Sequence, residues 1–325
     1  MSESGQPPAP RPAPAAERIS RFREHLYRRV AWEDLDPAAL DALIDRAVRE
    51  DLEGLGFRSG ARRPGDATSD LFLAGHPQAE ARIEAREDLV PAGLPLVPAI
   101  LARFGSELVF SPRTGDGRPV SAGDTLGTVR GPVAGLLSAE RTVLNFLQLL
   151  SGIATETARL AALLEGSGTR LLDTRKTPPG YRALAKYAVA AGGGWNHRLG
   201  LHDRIMLKDN HLACGSFASG AATFRDAVAA ARKVRPDLPV EVEIDRPAQL
   251  DLVLGAAPDV ILFDNFSGPD LERAVRRVGG ACLTEASGGI TAATLPSLAR
   301  IGLDFVSTGA SVHRARWVDI GLDLV

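Results

Sequence analysis

Between residues 173 and 211 the sequence concentrates cations: Arg175, Lys176, Arg182, Lys186, His197, Arg198, His202, Arg204 and Lys208 stand against Asp173, Asp203 and Asp209. Arginine grips carboxylates and phosphates bidentately and lysine acts as a point charge, so the cluster suits substrates with several anionic groups. Arg175, Lys176, His197, Arg198 and Lys208 adjoin strand-like runs or glycine loops and are read as the binding set. Arg182, Lys186, His202 and Arg204 are read as a solvated face laced with salt bridges. Asp173 opens the stretch DTRKTPPGYR and is expected to pair internally with the cations beside it. Ordering so many charges is costly unless an anionic ligand completes them.

A second set is acidic. Glu243 and Asp264 stand at equivalent points of consecutive apolar runs, and Glu241 shares a strand face with Glu243 by the period of two. Such carboxylates ligate Mg²⁺ or hold sugar hydroxyls; the alternative is that they only neutralise the cations. A third set is glycine-rich. EASGGI (285–290) and STGASVHR (307–314) place glycines between strand ends and helices, where backbone N–H groups cradle a phosphate in the late strands of many barrels. AGGGWNH (191–197) reads as a flexible loop. Together the three sets describe a site for a sugar phosphate with a metal-bound polyphosphate, plus a second substrate bearing several carboxylates.

Elements must bring these residues to one place. The runs RLL (170–172), RIML (204–207), VEVEI (240–244), VILF (260–263), ACLT (281–284) and FVST (305–308) are separated by helical patterns such as GPDLERAVRRVG. That alternation predicts a parallel sheet of βα units. Polar residues follow all six runs, which one shared mouth at the C-terminal strand ends explains, in a (β/α) barrel or an open doubly wound sheet. Upstream, residues 18–50 read as two amphipathic helices broken at Asp36-Pro37. AEARIEARE puts Ala79, Ala81, Ile83 and Ala85 on one face, and residues 107–137 carry the turns of an antiparallel sheet. Ser138 reads as the N-cap of a long helix. The domains expected are a proline-rich disordered tail (1–17), an α+β domain (18–138) to which 312–325 returns, and a barrel domain (139–311).

Composition removes some function classes. A net charge of −2 over 325 residues excludes a generally basic nucleic-acid binder, though not a local basic pocket. No apolar run approaches the ~20 residues of a membrane span, and the N-terminus lacks the apolar core of a signal peptide. Cys214 and Cys282 form neither a metal-ligand pattern nor a disulfide framework, so a reducing cytoplasm is expected.

The motifs ERTVLNFLQLLSGIAT, DTRKTPPGYRALAKYAV, GGGWNHRLGLHDRIMLKDNH, EVEID, ILFDNF, EASGGI and STGA, with GDATS, ARED and PAGL before them, resemble the quinolinate phosphoribosyltransferase family from about residue 20 to the C-terminus. Pro178 stands where a Thr is usual and Ala185 where a Glu is common. The resemblance implies a type II phosphoribosyltransferase fold: an incomplete (β/α) barrel with an N-terminal α+β sandwich-like domain. It implies a homodimer with shared active sites, further pairing left open; that no nucleic-acid or membrane partner is expected comes from the charge and the apolar runs. The reaction implied is phosphoribosyl transfer from phosphoribosyl pyrophosphate to quinolinate with decarboxylation, giving nicotinate mononucleotide, pyrophosphate and CO₂. Carried over by motif, Arg141 reaches the neighbouring subunit's site and joins Arg175, His197, Arg198 and Lys208 around the quinolinate carboxylates. Lys176, Glu243 and Asp264 handle phosphoribosyl pyrophosphate, the two carboxylates with Mg²⁺. Ser287, Gly288, Gly289, Gly309 and His313 hold the 5-phosphate. The rival readings are a relative acting on another acceptor, a Schiff-base aldolase using Lys176 or Lys208, and a non-catalytic phosphate-binding scaffold.

Overall fold

The computed structural model describes residues 13–73, 75, 77–208, 211 and 221–325. Asp209, Asn210 and Cys214 lie outside that set, as does the proline-rich tail up to residue 12. The chain forms two compact units: Val30–Ala158 with Ala183–Gly193 and Ala315–Val325, and residues up to Arg29 with Arg159–Arg182 and Gly194–Arg314.

The first of these units is built on an antiparallel sheet. Its strands are β1 (Gln78–Ala85), β2 (Val109–Pro112), β3 (Thr125–Pro132) and, from the chain's end, β10 (Ile320–Leu324), in the order β10-β1-β3-β2. Ala81, Ile83 and Ala85 are buried and pair with Leu324, Leu322 and Ile320 of β10, as the alternation in β1 requires. The helix Pro37–Glu53 begins where the sequence suggests. Asp36 accepts from the Ala38 N–H, Pro37 takes the first helical position, and Gly54 ends the helix in the left-handed region.

The long helix differs from expectation. It runs Val133–Ala162, so Ser138 lies inside it. The Ser138 hydroxyl donates to the Ala134 carbonyl and to Asp66, the back-bonding typical of serine within a helix. No side-chain cap marks the start, because β3 runs directly into the helix. The segment Ala183–Gly193 also belongs to this unit. Tyr187 is buried there, donating to Asp116 at 2.6 Å and meeting Trp32 edge-on. Lys186, expected on a solvated face, is 1% exposed.

The other unit carries six parallel strands: β4 (Arg170–Leu172), β5 (Ile205–Leu207), β6 (Val240–Ile244), β7 (Val260–Asp264), β8 (Leu283–Ser287) and β9 (Phe305–Ser307). Their order is β4-β9-β8-β7-β6-β5. Trp195 extends the array by bridging Leu172 in parallel, and Asn196 bridges Arg28. The glycine stretch 191–197, read from sequence as a flexible loop, therefore ends in ladder-like pairing beside β4.

Period-two alternation sorts the residues of each strand onto two faces. Val240, Val242, Ile244, Ile261, Phe263 and Ala286 join Phe224, Val253 and Leu271 from the helices in one core. On the opposite face Leu172, Val260, Leu283 and Phe305 form a second core with Phe22 and Leu26. Burying Phe22 and Leu26 contributes about 1.5–3 kcal/mol each. This packing places residues 13–29 with the parallel-sheet unit, although the sequence reading put the N-terminal domain's start at 18. The amphipathic segment's apolar residues plug the parallel sheet.

Candidate active site

A cleft of about 610 Å³ opens at the C-terminal ends of the parallel strands. It is lined after β4 by Arg175 and Lys176, from β5 by Met206 and Lys208, from β6 and β7 by Glu243 and Asp264, and beyond β8 and β9 by Ser287–Gly289 and Gly309. His197, Arg198 and His313 complete the wall. The structure thus gathers every residue of the sequence-predicted site except Arg141, which is exposed on the helix Val133–Ala162 and does not line the cleft. Strand ends in a parallel sheet all point one way, so residues distant in sequence converge.

The carboxylates are held before any ligand arrives. Asp264 accepts from the Ser287 hydroxyl at 2.7 Å and from Asn265 Nδ2 at 2.9 Å. Asn265 sits in the left-handed region at φ 56°, and its backbone N–H donates to the Ser287 carbonyl. Gly288 is required beside it: a Cβ there would stand 2.2 Å from Asn265 Oδ1, and its φ is +82°. Glu243 is ion-paired with the Lys208 ammonium. Of the two glutamates on the same strand face, Glu243 reaches the cleft and Glu241 lies fully buried.

The cations are different. Among the described residues no acid lies within ion-pair distance of Arg175, Lys176 or Arg198, and the buried Arg175 Nε has no hydrogen-bond partner. Burial lowers the pKa of Arg198, and the Arg175 charge lowers it further. Three cations that crowd one cleft without an acid in ion-pair contact are stabilised by an incoming anion. Lys176 passes Gly309 and His313 closely enough that a Cβ at Gly309 would meet Lys176 Cδ at 2.9 Å and His313 Nδ1 at 2.7 Å. This joins the lysine to the glycine cradle.

Asp173 is fully buried and fixes the chain behind the cations. It accepts from Asn196 Nδ2 at 2.9 Å and from the His197 N–H at 2.8 Å. Sequence reasoning looked for its partners among Arg175 and Lys176; these two come from the GGGWNH stretch instead. Arg204, read from sequence as solvated, is 2% exposed and donates to Glu241 at 2.7 Å. Glu241 is held well below the usual carboxylate range: burial opposes this, but His197 and Arg204 outweigh it. His197 turns both ring nitrogens toward the protein. Nδ1 accepts from the Arg198 N–H at 2.8 Å, and Nε2 lies 3.3 Å from Glu241 and 3.5 Å from Glu285.

Six parallel strands with a cation-lined cleft at their C-terminal ends, together with a separate antiparallel unit, define the type II class of phosphoribosyltransferases. Residues 66–151 match the N-terminal domain of quinolinate phosphoribosyl transferase, and residues 153–323 match its C-terminal domain. The probable nicotinate-nucleotide pyrophosphorylase (carboxylating) of Bacillus subtilis is 40% identical over 262 residues, 80% of this chain and 88% of that protein. The Mycobacterium leprae nicotinate-nucleotide pyrophosphorylase (carboxylating) is 39% identical over 286 residues, covering 86% and 95%. The solved nicotinate-nucleotide pyrophosphorylase from Francisella tularensis superposes with a TM-score of 0.81 at 32% identity, covering 92% of this chain and 100% of that one. The chain belongs to the quinolinate phosphoribosyltransferase family.

Proposed function

We propose that the cleft carries out this family's reaction, its cations holding the anionic substrates and its carboxylates facing the ribosyl centre. The reaction transfers phosphoribosyl from phosphoribosyl pyrophosphate to quinolinate and releases pyrophosphate and CO₂, a step of de novo NAD biosynthesis. The observation that carries the assignment is the set of unpaired cations, Arg175, Lys176 and Arg198, facing one cleft. A Schiff-base aldolase would need a lysine desolvated among apolar groups. Lys176 is exposed, and Lys208 is ion-paired with Glu243.

In this reading Ser287, Gly288, Gly289, Gly309 and His313 hold the sugar's 5-phosphate. Lys176, beside that cradle, holds the departing pyrophosphate, whose developing charge is where preorganised cations act most strongly. Glu243 and Asp264 offset the positive charge that builds on C1 and the ring oxygen. They also fit Mg²⁺, a hard cation bound through one or two carboxylates plus substrate phosphates. When bound, the metal would neutralise the leaving pyrophosphate. Arg175, Arg198 and Lys208 hold the acceptor's carboxylates and aim its ring nitrogen at C1. Alkylation turns that nitrogen into a pyridinium, an electron sink beside the carbon bearing the 2-carboxylate. CO₂ leaves, and the carbon left behind takes a proton. His197 forms a wall of the cleft, since its nitrogens are engaged within the protein.

Arg141 completes the site across a homodimer in this proposal. Its support is an exposed guanidinium with no acid partner among the described residues. The setting proposed is a reducing cytoplasm, in keeping with only two cysteines in the sequence, of which Cys282 is buried.

The direct test supplies phosphoribosyl pyrophosphate and Mg²⁺ with quinolinate or nicotinate and measures CO₂ and pyrophosphate. Equal release of both with quinolinate alone is expected. Activity with nicotinate alone would overturn the acceptor assignment. Mixing inactive Arg141→Ala and Lys176→Ala proteins should restore activity through heterodimers; no restoration would show that Arg141 does not cross subunits.

A further inference from the structure

Directly beneath the cleft lies a buried acid to which the reaction assigns no part. Glu285, on β8, is 0% exposed, and neither of its carboxyl oxygens has a hydrogen-bond partner among the described residues. Its Oε1 is 3.5 Å from His197 Nε2, a contact longer than a hydrogen bond. Ligand atoms of Glu285, Glu241 and His197 all lie within 4.8 Å of one another. Such a trio resembles a metal site, but the position for a cation is taken. Arg204 Nη1 stands 2.7 Å from Glu241 and 3.5 Å from His197 Nε2.

A carboxyl group without hydrogen bonds, buried beside a second carboxylate, destabilises the fold, and its retention calls for a functional reason. The charges close if Glu285 is neutral. Arg204 then balances Glu241. The ring's tautomer follows from the backbone: Nδ1 accepts from the Arg198 N–H, so the ring proton sits on Nε2, facing the two acids. Burial pushes the Glu285 carboxyl up to about 7, and the Glu241 charge adds to the rise against the opposing pull of Arg204.

The same ring then acts upward. Its Nδ1 pins the backbone N–H of Arg198, and Asp173 pins the two preceding residues through Asn196 Nδ2 and the His197 N–H. Arg198 lines the cleft, so the direction of its guanidinium depends on how the ring beneath it is seated.

We propose that Glu285 is a positioning residue for the acidic acceptor: with Glu241 it seats the His197 Nε2–H, and the ring in turn aims Arg198 at an acceptor carboxylate. This rests on the assignment of quinolinate as acceptor. It gives Glu285 a role in acceptor affinity, held at a cost in stability.

The test compares Glu285→Met and Glu285→Gln with the parent, measuring melting temperature, kcat and the KM of each substrate. Removing a buried group without hydrogen bonds in favour of an apolar one of similar length is neutral or stabilising. Glu285→Met should therefore melt at or above the parent temperature, while its KM for quinolinate rises about tenfold, the scale of one mispositioned charged contact. The KM for phosphoribosyl pyrophosphate and kcat should stay within about threefold. Glu285→Gln, which keeps a neutral polar group, should restore acceptor KM. In a His197→Ala background the Glu285→Met effect on acceptor KM should vanish, because the two residues act in series.

An unchanged acceptor KM in Glu285→Met, an equal change in both KM values, or additive effects with His197→Ala would each overturn the inference. If the parent itself fails to turn over quinolinate, the acceptor assignment fails instead, so the two failures are distinguishable.

Discussion

Two acids buried along the parallel strands, one just before a strand and one at a strand's centre, are treated in opposite ways. Asp259, just before β7, is 0% exposed, yet its Oδ2 accepts from Arg232 at 2.9 Å and from the Val240 N–H at 2.7 Å, with Arg18 Nε 3.6 Å from its Oδ1. Glu285, in β8 beneath the cleft, is buried as deeply and has no hydrogen bond among the described residues. At the N-terminal ends of the strands a charge is surrounded because it ties a helix to the sheet. Nearer the cleft an acid at a strand's centre has no hydrogen-bonded partner and several cations at the strand ends have no acid in ion-pair contact among the described residues, which leaves the cations able to meet a ligand. Burial alone does not say which use a charge has; the state of its partners does.

The comparison breaks most visibly at Asp259. Asp259→Ala strands Arg232 and the Val240 N–H, so chemical denaturation should show a loss of about 3–5 kcal/mol, with kcat of the folded protein little changed. A stable Asp259→Ala protein with lost activity would reverse the assignment of the two acids.

Lys176→Ala should do the opposite. A cation acting on the departing pyrophosphate is worth about 10²–10³-fold in kcat/KM, and removing it should leave the melting temperature unchanged or raised, because an unpaired charge has gone. A fall in stability equal to the fall in activity would mean that Lys176 has a structural partner after all.

Gly309→Ala probes the same end with one methyl group. The added Cβ would meet Lys176 Cδ at 2.9 Å and His313 Nδ1 at 2.7 Å, so both side chains, neither of them backbone, must shift. The protein should fold, with the KM for phosphoribosyl pyrophosphate raised about tenfold and that for quinolinate less affected. Equal rises in both KM values would detach this glycine from the phosphate cradle.

The smallest effect extends the comparison to the antiparallel unit. Asp66 accepts from the Ser69 hydroxyl and N–H, the Ser138 hydroxyl and the Thr68 N–H, and these hydrogen bonds lower its pKa to about 2. Its folded pKa lies below the unfolded value, so its contribution is present above about pH 4 and lost as pH falls through about 2. Glu285 has the reverse sign. Its pKa is raised, so the folded state is favoured below the unfolded value near 4.5 and loses that advantage as pH rises through about 7. Asp66→Ala should cost about 1 kcal/mol at neutral pH and flatten the acid side of the stability profile. Glu285→Met should flatten the stretch between 4.5 and 7. Unchanged profiles would show that neither acid differs between the folded and unfolded chain.

Much of this contrast was legible in the sequence at the mouth and very little beneath it. Arg175, Lys176, Glu243, Asp264 and the two glycine stretches could be read because each follows an apolar run, and all parallel strands end on one side. Arg204 and Lys186 were misread as solvated because a charged residue between glycines and short runs looks the same whether it faces water or a buried acid. Arg204 becomes distinct only once Glu241, 37 residues away, is opposite it. The fate of residues 13–29 was hidden for a related reason. Phe22 and Leu26 have amphipathic spacing, which says that a face is buried but not against which sheet.

The sequence by itself determined the six parallel strands, the antiparallel unit and the residues of the mouth, because alternation, turn chemistry and motif order are local properties that survive without neighbours. Only the tertiary structure decided which charges lack partners, which of Glu241 and Glu243 faces the ligand, and that His197 turns its nitrogens inward. Those outcomes depend on electrostatics and desolvation between residues far apart in the chain. The energy of a buried charge is set by what lies within a few ångströms of it, and the order of residues along the chain does not specify that distance.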